Sequence, residues 1–115
     1  MKRDIELVRK ILETVKECET FNRPENITID GYKPMLIHYH IKLLGEAGYL
    51  EVSDYSTKAG PNFMINGMTW QGHEFLDTIR NETVWKKLTI RFKEDAGKLP
   101  FEVIKVIGAT LIKGL

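Results

Sequence analysis

The sequence lacks the features that define several large classes of protein. Of its 115 residues only Cys18 is a cysteine, which excludes a disulfide within one chain and a cysteine-rich zinc site. Seventeen Lys and Arg against 16 Asp and Glu give a formal net charge of +1, so binding to nucleic acid requires a local basic patch. No apolar run approaches the roughly 20 residues of a membrane span, and the charged N-terminus is unlike a signal peptide. We therefore expect a cytoplasmic protein with no membrane partner.

The composition favours a folded protein with a single core. Hydrophobic residues make up 43% of the chain and charged residues 29%, the balance of an ordinary globular domain. A chain of 115 residues is long enough for one such core and too short for two. No repeat, low-complexity tract or linker divides it.

The first part of the chain combines helical and strand patterns. Apolar side chains recur at helical spacing over residues 4–18, which predicts a helix. The β-branched run 27–29 predicts a short strand, and the Asp-Gly dipeptide 30–31 predicts a turn. A second helix is expected over 34–47, with Pro34 in its first turn.

The middle of the chain predicts a β-hairpin. Apolar and polar residues alternate over 49–55, as in a half-buried strand, and 63–70 is expected to be its partner. The small polar residues between them favour a long loop over a tight turn. The dipeptide Asn66-Gly67 marks either a bulge or a competing turn.

Three further helices are predicted after the hairpin. Thr69 is available to cap the first and Asn81 the second, and a break at 97–100 precedes the third. The helical spacing of the aromatic residues predicts that they face inward and pack in the core: Trp70, Phe75, Trp85 and Phe92.

The order of these elements is that of a winged helix, in which a helix-turn-helix core is followed by a hairpin called the wing. We predict an α+β, winged-helix-like fold with C-terminal helices. Residues 1–115 would form one domain, with core and wing over about 1–70 and a helical extension over about 70–115. The segment before Pro34 has room for a strand and a turn but hardly for a second helix, so the helix-turn-helix is expected to be degenerate.

Three segments, MKRDIELVRKIL, IDGYKPMLIHYHIKLLGEAGYLEV and MTWQGHEFLDTIRNETVWKK, resemble a family of uncharacterised small proteins of bacteria and of phages or prophages. The resemblance covers most of the chain and implies a domain of unknown function, without a particular activity. Its most specific pieces are Gly31-Tyr32, Tyr39-His40, Leu44, Glu46-Ala47-Gly48, Thr69-Trp70 and Gly72-His73-Glu74-Phe75-Leu76. The stretch HIKLLGEAGYLEV is also similar to the recognition helix and wing start of winged-helix regulators, which implies DNA binding.

The sequence contains no pattern typical of an enzyme. His38 and His40, two apart on a helix, point about 200° apart and cannot share a metal ion. His73-Glu74 lacks the second histidine of a zinc peptidase, because residue 77 is Asp. No glycine-rich phosphate loop occurs. We expect no catalytic residue, metal or cofactor, a buried His40 and a solvent-facing His38.

The main functional hypothesis is DNA binding, with the exposed side of helix 34–47 in the major groove and the loop 56–62 against the backbone. Residues 33–62 hold three Lys and three acidic residues, so the positive charge is thin. The candidate residues are Lys33, His38 and Lys42 in the groove, Lys58 and Asn62 on the wing, and Lys86, Lys87 and Arg91 on flanking DNA.

The alternative hypothesis is a protein–protein interaction module of phage or prophage origin that does not bind DNA. The last helix is apolar on more than one side, so it could hold a protein partner or a second copy of the chain. The predicted partner face consists of Phe101, Ile104, Ile107 and Leu111.

Overall fold

The computed structural model describes residues 3–18, 27–94 and 100–114. In these ranges an antiparallel hairpin of two strands lies between two helices on its N-terminal side and three on its C-terminal side, which confirms the α+β class. The elements are α1 (Ile5–Glu17), α2 (Pro34–Glu46), β1 (Leu50–Asp54), β2 (Phe63–Met68), α3 (Trp70–Arg80), α4 (Glu82–Glu94) and α5 (Phe101–Lys113). None of the described helices is long and apolar enough to span a bilayer.

The core is built around α1. Its apolar face is buried against α2, α3 and β2, as the helical spacing of its sequence predicts. α4 and α5 pack on α3 and on each other, and they extend the same cluster. The largest fully buried side chains are Leu7, Ile11, Leu12, His40, Ile41, Leu44, Ile65, Phe75, Leu76, Ile79, Leu88 and Ile104.

The end of α2 directs the chain into the hairpin. Gly48 has a φ of +83°, a conformation that costs glycine little, and its N–H donates to Gly45 O at 3.1 Å. Tyr49 N–H donates to Leu44 O at 3.0 Å, which completes a Schellman motif. The base of the hairpin is therefore held directly against the C-terminus of α2.

The hairpin has an irregular register. Glu51 is paired with Gly67 but Val52 with Ile65, so Asn66 is an extra residue on β2. Of the two alternatives for Asn66-Gly67, the structure has the bulge.

The connection between the strands spans residues 55–62, so it is long as predicted, and a tight turn closes its tip, where Thr57 and Gly60 exchange two backbone hydrogen bonds of 3.1 Å. The strand predicted over 27–29 is wrong. Residues 27–29 are irregular rather than a strand: the side chains of Ile27 and Ile29 rest on the core, and Ile29 O accepts the Tyr32 N–H of the turn that follows. Apolar burial alone accounts for the β-branched pattern there.

The prediction that Trp70 faces inward is also wrong. This side chain is 75% exposed, whereas Phe75, Trp85 and Phe92 are buried as predicted. Trp70 is the first residue of α3 and lies five residues before Phe75, about 140° around the axis from it. Its indole Nε1–H donates to Glu74 Oε1 at 2.8 Å.

Candidate nucleic-acid interface

The outer side of α2 is the surface that the DNA-binding hypothesis places in the groove. Lys33 precedes the helix and is exposed, and Met35, Lys42 and Glu46 are exposed along it. The positive charge of Lys42 is partly compensated, because its Nζ lies 3.9 Å from Glu46 Oε1. The surface therefore combines one lysine in mid-helix with apolar and acidic neighbours.

His38 does not simply face solvent as predicted. Its ring is half-buried, and Nδ1 accepts the backbone N–H of Phe63 at 3.0 Å. This bond joins the outer side of α2 to the first residue of β2. No local pattern could have revealed it, because the two residues are 25 positions apart.

A cleft of about 280 Å³ runs between α2 and the hairpin. Two of its charged residues are acidic: Glu46 on α2 and Asp54 at the end of β1. Hydrogen bonds from Ser56, with a smaller contribution from Lys42, hold the pKa of Asp54 below its ordinary 3.8. The cleft therefore carries negative charge at neutral pH, in line with the thin positive charge that the sequence gives residues 33–62. Its other lining residues are Lys42, Gly45, Val52 and Phe63.

The tip of the hairpin is held by hydrogen bonds within the loop. Lys58 is a central residue of the turn between Thr57 and Gly60, and its side chain is exposed. Asn62 is half-exposed, and its backbone N–H donates to Ser56 Oγ at 3.0 Å. Both candidate residues of this loop are therefore at least partly accessible to solvent.

The third group of candidates lies on another part of the fold. Lys86, Lys87 and Arg91 are exposed on α4, which packs on α3 and α5. α2 packs on α1 and the hairpin instead. His38 and Lys42 thus lie one helical turn apart on α2, beside the hairpin, and the α4 cations belong to a separate layer.

His40 is buried and hydrogen-bonded, as predicted. It has 0% exposure, its Nδ1 lies 2.9 Å from Leu36 O, and its Nε2 accepts the backbone N–H of Asp4 at 2.8 Å. Loss of hydration lowers the pKa of His40 below its ordinary 6.5, against smaller opposing effects of Leu36 O and the Asp4 charge. The ring is therefore neutral and ties α2 to the start of α1.

The predicted partner face on α5 needs correction. Ile104 is only 1% exposed, and Phe101, Ile107 and Leu111 are half-buried against the core. Ile104 therefore faces inward and the other three side chains are only partly accessible, because α3 and α4 pack on that side of α5. The large apolar residues that α5 exposes are Val103, Val106 and Ile112.

Across residues 3–18, 27–94 and 100–114, no three His, Cys, Asp or Glu side chains group in a way that could hold a metal ion. Cys18 is a free, half-buried cysteine at the end of α1.

The chain is similar to a family of hypothetical proteins and to a protein of Haemophilus influenzae. The model of a family described as "Hypothetical protein (DUF2513)" matches residues 2–98, which include α1 through α4 and the hairpin. An "Uncharacterized protein" of Haemophilus influenzae is 38% identical, and the similarity covers 97% of this chain and 96% of the relative. No solved structure matches significantly.

Proposed function

The chain belongs to the DUF2513 family of hypothetical proteins, and from that premise we propose that it is a non-enzymatic, winged-helix-like DNA-binding protein of the cytoplasm. α2 would enter the major groove and the hairpin would act as the wing. The origin in a phage or prophage that the sequence resemblance implies is part of this proposal.

One observation carries the proposal: the outer side of α2 and the hairpin form a joined surface. A helix of 13 residues is about 20 Å long and fits the major groove lengthwise. The hairpin is bonded to it at His38, and its tip carries an exposed lysine, Lys58. Lys42 in mid-helix and Lys58 at the tip are therefore able to approach a groove and a phosphate backbone together.

The charge of this surface bears on the strength of binding. Glu46 and Asp54 lie in the cleft and repel phosphates, whereas only Lys33, Lys42 and Lys58 attract them. Few cation–phosphate contacts mean few released counterions. We expect weak binding with a shallow dependence on salt.

A mobility-shift titration at low salt tests the proposal. The probes are a random duplex and the genomic region next to the gene. Lys58→Gln should weaken binding severalfold and lower the slope of log K against log salt by about 1. Lys113→Gln, which removes an exposed lysine from α5, is the matched control and should leave both quantities unchanged. Absence of a shift with both probes would refute the proposal.

A second candidate, protein–protein interaction, is favoured by a specific observation. Val106 on α5 and Ile90 on α4 are 64% and 59% exposed, on two helices that pack against each other, and exposed apolar side chains form a partner site where they are contiguous. Sedimentation would detect a dimer or a complex. Val106→Lys should abolish that association, and a protein that is monomeric at all concentrations would argue against this candidate.

A further inference from the structure

We propose that His38 is a positioning residue: it holds the hairpin at a set distance and angle from α2, and so sets the fit of the helix and wing to a duplex. Its role would be to organise the surface rather than to contact DNA from a free position. The DNA part of this inference rests on the proposed function, whereas the anchoring part does not.

The hydrogen-bond pattern of the hairpin explains why Phe63 needs an acceptor outside the sheet. Tyr55 N–H donates to Asn62 O at 2.8 Å, so this pair is hydrogen-bonded across the hairpin. Hydrogen-bonded and non-hydrogen-bonded pairs alternate along an antiparallel ladder. The next pair, Asp54 with Phe63, is therefore not hydrogen-bonded, and the Phe63 N–H points away from β1. His38 Nδ1 receives this N–H at 3.0 Å.

This hydrogen bond determines which nitrogen of the neutral His38 ring carries the proton. An imidazole nitrogen that accepts an N–H carries no proton, so the neutral ring holds its proton on Nε2. Within the described ranges Nε2 has no hydrogen-bond partner, so the acceptor at Nδ1 is the ring's hydrogen-bonding link to the fold. An apolar residue at position 38 would leave the Phe63 N–H without a partner on the side that faces α2.

The position of the bond gives it mechanical importance. The hairpin is already fixed at its base, where Thr69 Oγ1–H donates to Gly48 O at 2.6 Å and Thr69 N–H to Tyr49 O at 3.1 Å. His38 acts at the other end, on the first residue of β2 and close to the tip. Without His38 the hairpin could pivot about its base. Lys58 at the tip would then lose its defined position relative to Lys42.

The test compares the wild type with His38→Ala and His38→Asn. Asparagine places its Oδ1 close to the position of the histidine Nδ1, so it can still accept the Phe63 N–H, but it has no counterpart to Nε2–H. His73→Ala is the matched control on α3, because the ring of His73 makes no hydrogen bond within the described residues. Two quantities are measured: hydrogen exchange of the Phe63 amide, and affinity for the duplex that the wild type binds.

We expect His38→Ala to speed exchange of the Phe63 amide about tenfold and to weaken DNA binding to a similar extent. His38→Asn should restore both to within about threefold of the wild type. His73→Ala should change neither.

The two readouts separate the possible failures. Unchanged Phe63 exchange in His38→Ala would overturn the anchoring role, whether or not the protein binds DNA. Faster exchange with unchanged affinity would overturn the positioning role while the proposed function stands. Restored exchange but not affinity in His38→Asn would mean that Nε2–H contacts the duplex, against the proposal. A wild type that binds no duplex would refute the proposed function, and the DNA part of this inference with it.

Discussion

Single residues hold the junctions between the elements of this protein. Gly72 is one of them, because α3 crosses the base of the hairpin at this residue. A Cβ there would run into the backbone oxygen of Tyr49 and into the side chain of Met68. The contact with backbone matters most, since it cannot be relieved by a change of rotamer.

Gly72→Ala should therefore lower the free energy of unfolding by about 1–3 kcal/mol, although alanine normally favours a helix. Gly67→Ala is the control, because a Cβ at that position meets nothing within 4 Å. Urea denaturation measures both variants. Equal stability of the two would mean that α3 can shift away from the hairpin at no cost.

His40 should make the stability of the protein depend on pH. Burial lowers the pKa of His40 below its ordinary 6.5. Below about pH 6.5 the unfolded chain therefore binds a proton that the folded chain does not, and the contribution of His40 to stability falls as the pH falls. Above that pH the ring is neutral in both states and contributes no slope.

The measurement is urea unfolding from about pH 7.5 to about pH 5.5. His40→Gln should lose part of the decline in stability that the wild type shows towards acid. His73→Gln, on the partly exposed face of α3, should keep the wild-type decline. A His40→Gln variant with the full wild-type slope would contradict the argument.

Among the secondary-structure elements, the helices α1 to α4 begin where a nearby side chain caps the first turn or where a proline occupies it. Asp4 Oδ1 accepts backbone N–H groups at the start of α1, and Thr69 Oγ1 does so at the start of α3. Asn81 Oδ1 accepts from Thr83 at 2.9 Å and from Val84 at 3.1 Å at the start of α4. α2 begins after Lys33 with Pro in its first turn and without a side-chain cap.

Asn81→Ala should cost about 1 kcal/mol of stability, because two N–H groups at the start of α4 lose their acceptor. Asn81→Asp keeps an acceptor and should remain close to the wild type. Lys33→Ala is the control at a helix start without a side-chain cap, and we expect a change within about 0.5 kcal/mol. If Asn81→Ala and Lys33→Ala lowered the midpoint of thermal unfolding equally, the Asn81 cap would contribute nothing specific to stability.

In the molecule as a whole, the C-terminal helices α3 to α5 share one hydrophobic core with α1, α2 and the hairpin. Arg9 of α1 illustrates the connection: its Nη2 donates to Arg80 O at 3.1 Å and lies 2.9 Å from Glu82 Oε1. The same guanidinium lies 4.7 Å from the ring centroid of Trp85 on α4. Buried residues of α1, α3, α4 and α5 also belong to one hydrophobic cluster.

We therefore expect α3 to α5 to unfold together with the rest in one cooperative transition. The chain has two tryptophans, so Trp70→Phe leaves buried Trp85 as the only one and makes its fluorescence a probe of α4. Fluorescence and far-ultraviolet circular dichroism should give the same urea midpoint. Separate midpoints would show that the C-terminal helices unfold as a unit of their own.

Local patterns suffice for the type and approximate limits of the helices and strands, because helical spacing, caps and turn glycines act within a few residues. The helix α1, the end of α2 near residue 47, the hairpin and the caps at Thr69 and Asn81 were all predictable in this way. Burial of His40 followed from its place on the apolar face of α2.

The features that local patterns did not predict depend on contacts between segments distant in the sequence. The bond from Phe63 to His38, the exposure of Trp70 and the inward turn of Ile104 depend on which elements pack together, and periodicity only says which residues share a face. The irregular residues 27–29 show the same limit, since a strand needs a neighbouring strand and β-branched residues alone do not supply one. The acidic groups of the cleft, Glu46 and Asp54, likewise meet only because the hairpin folds back against α2.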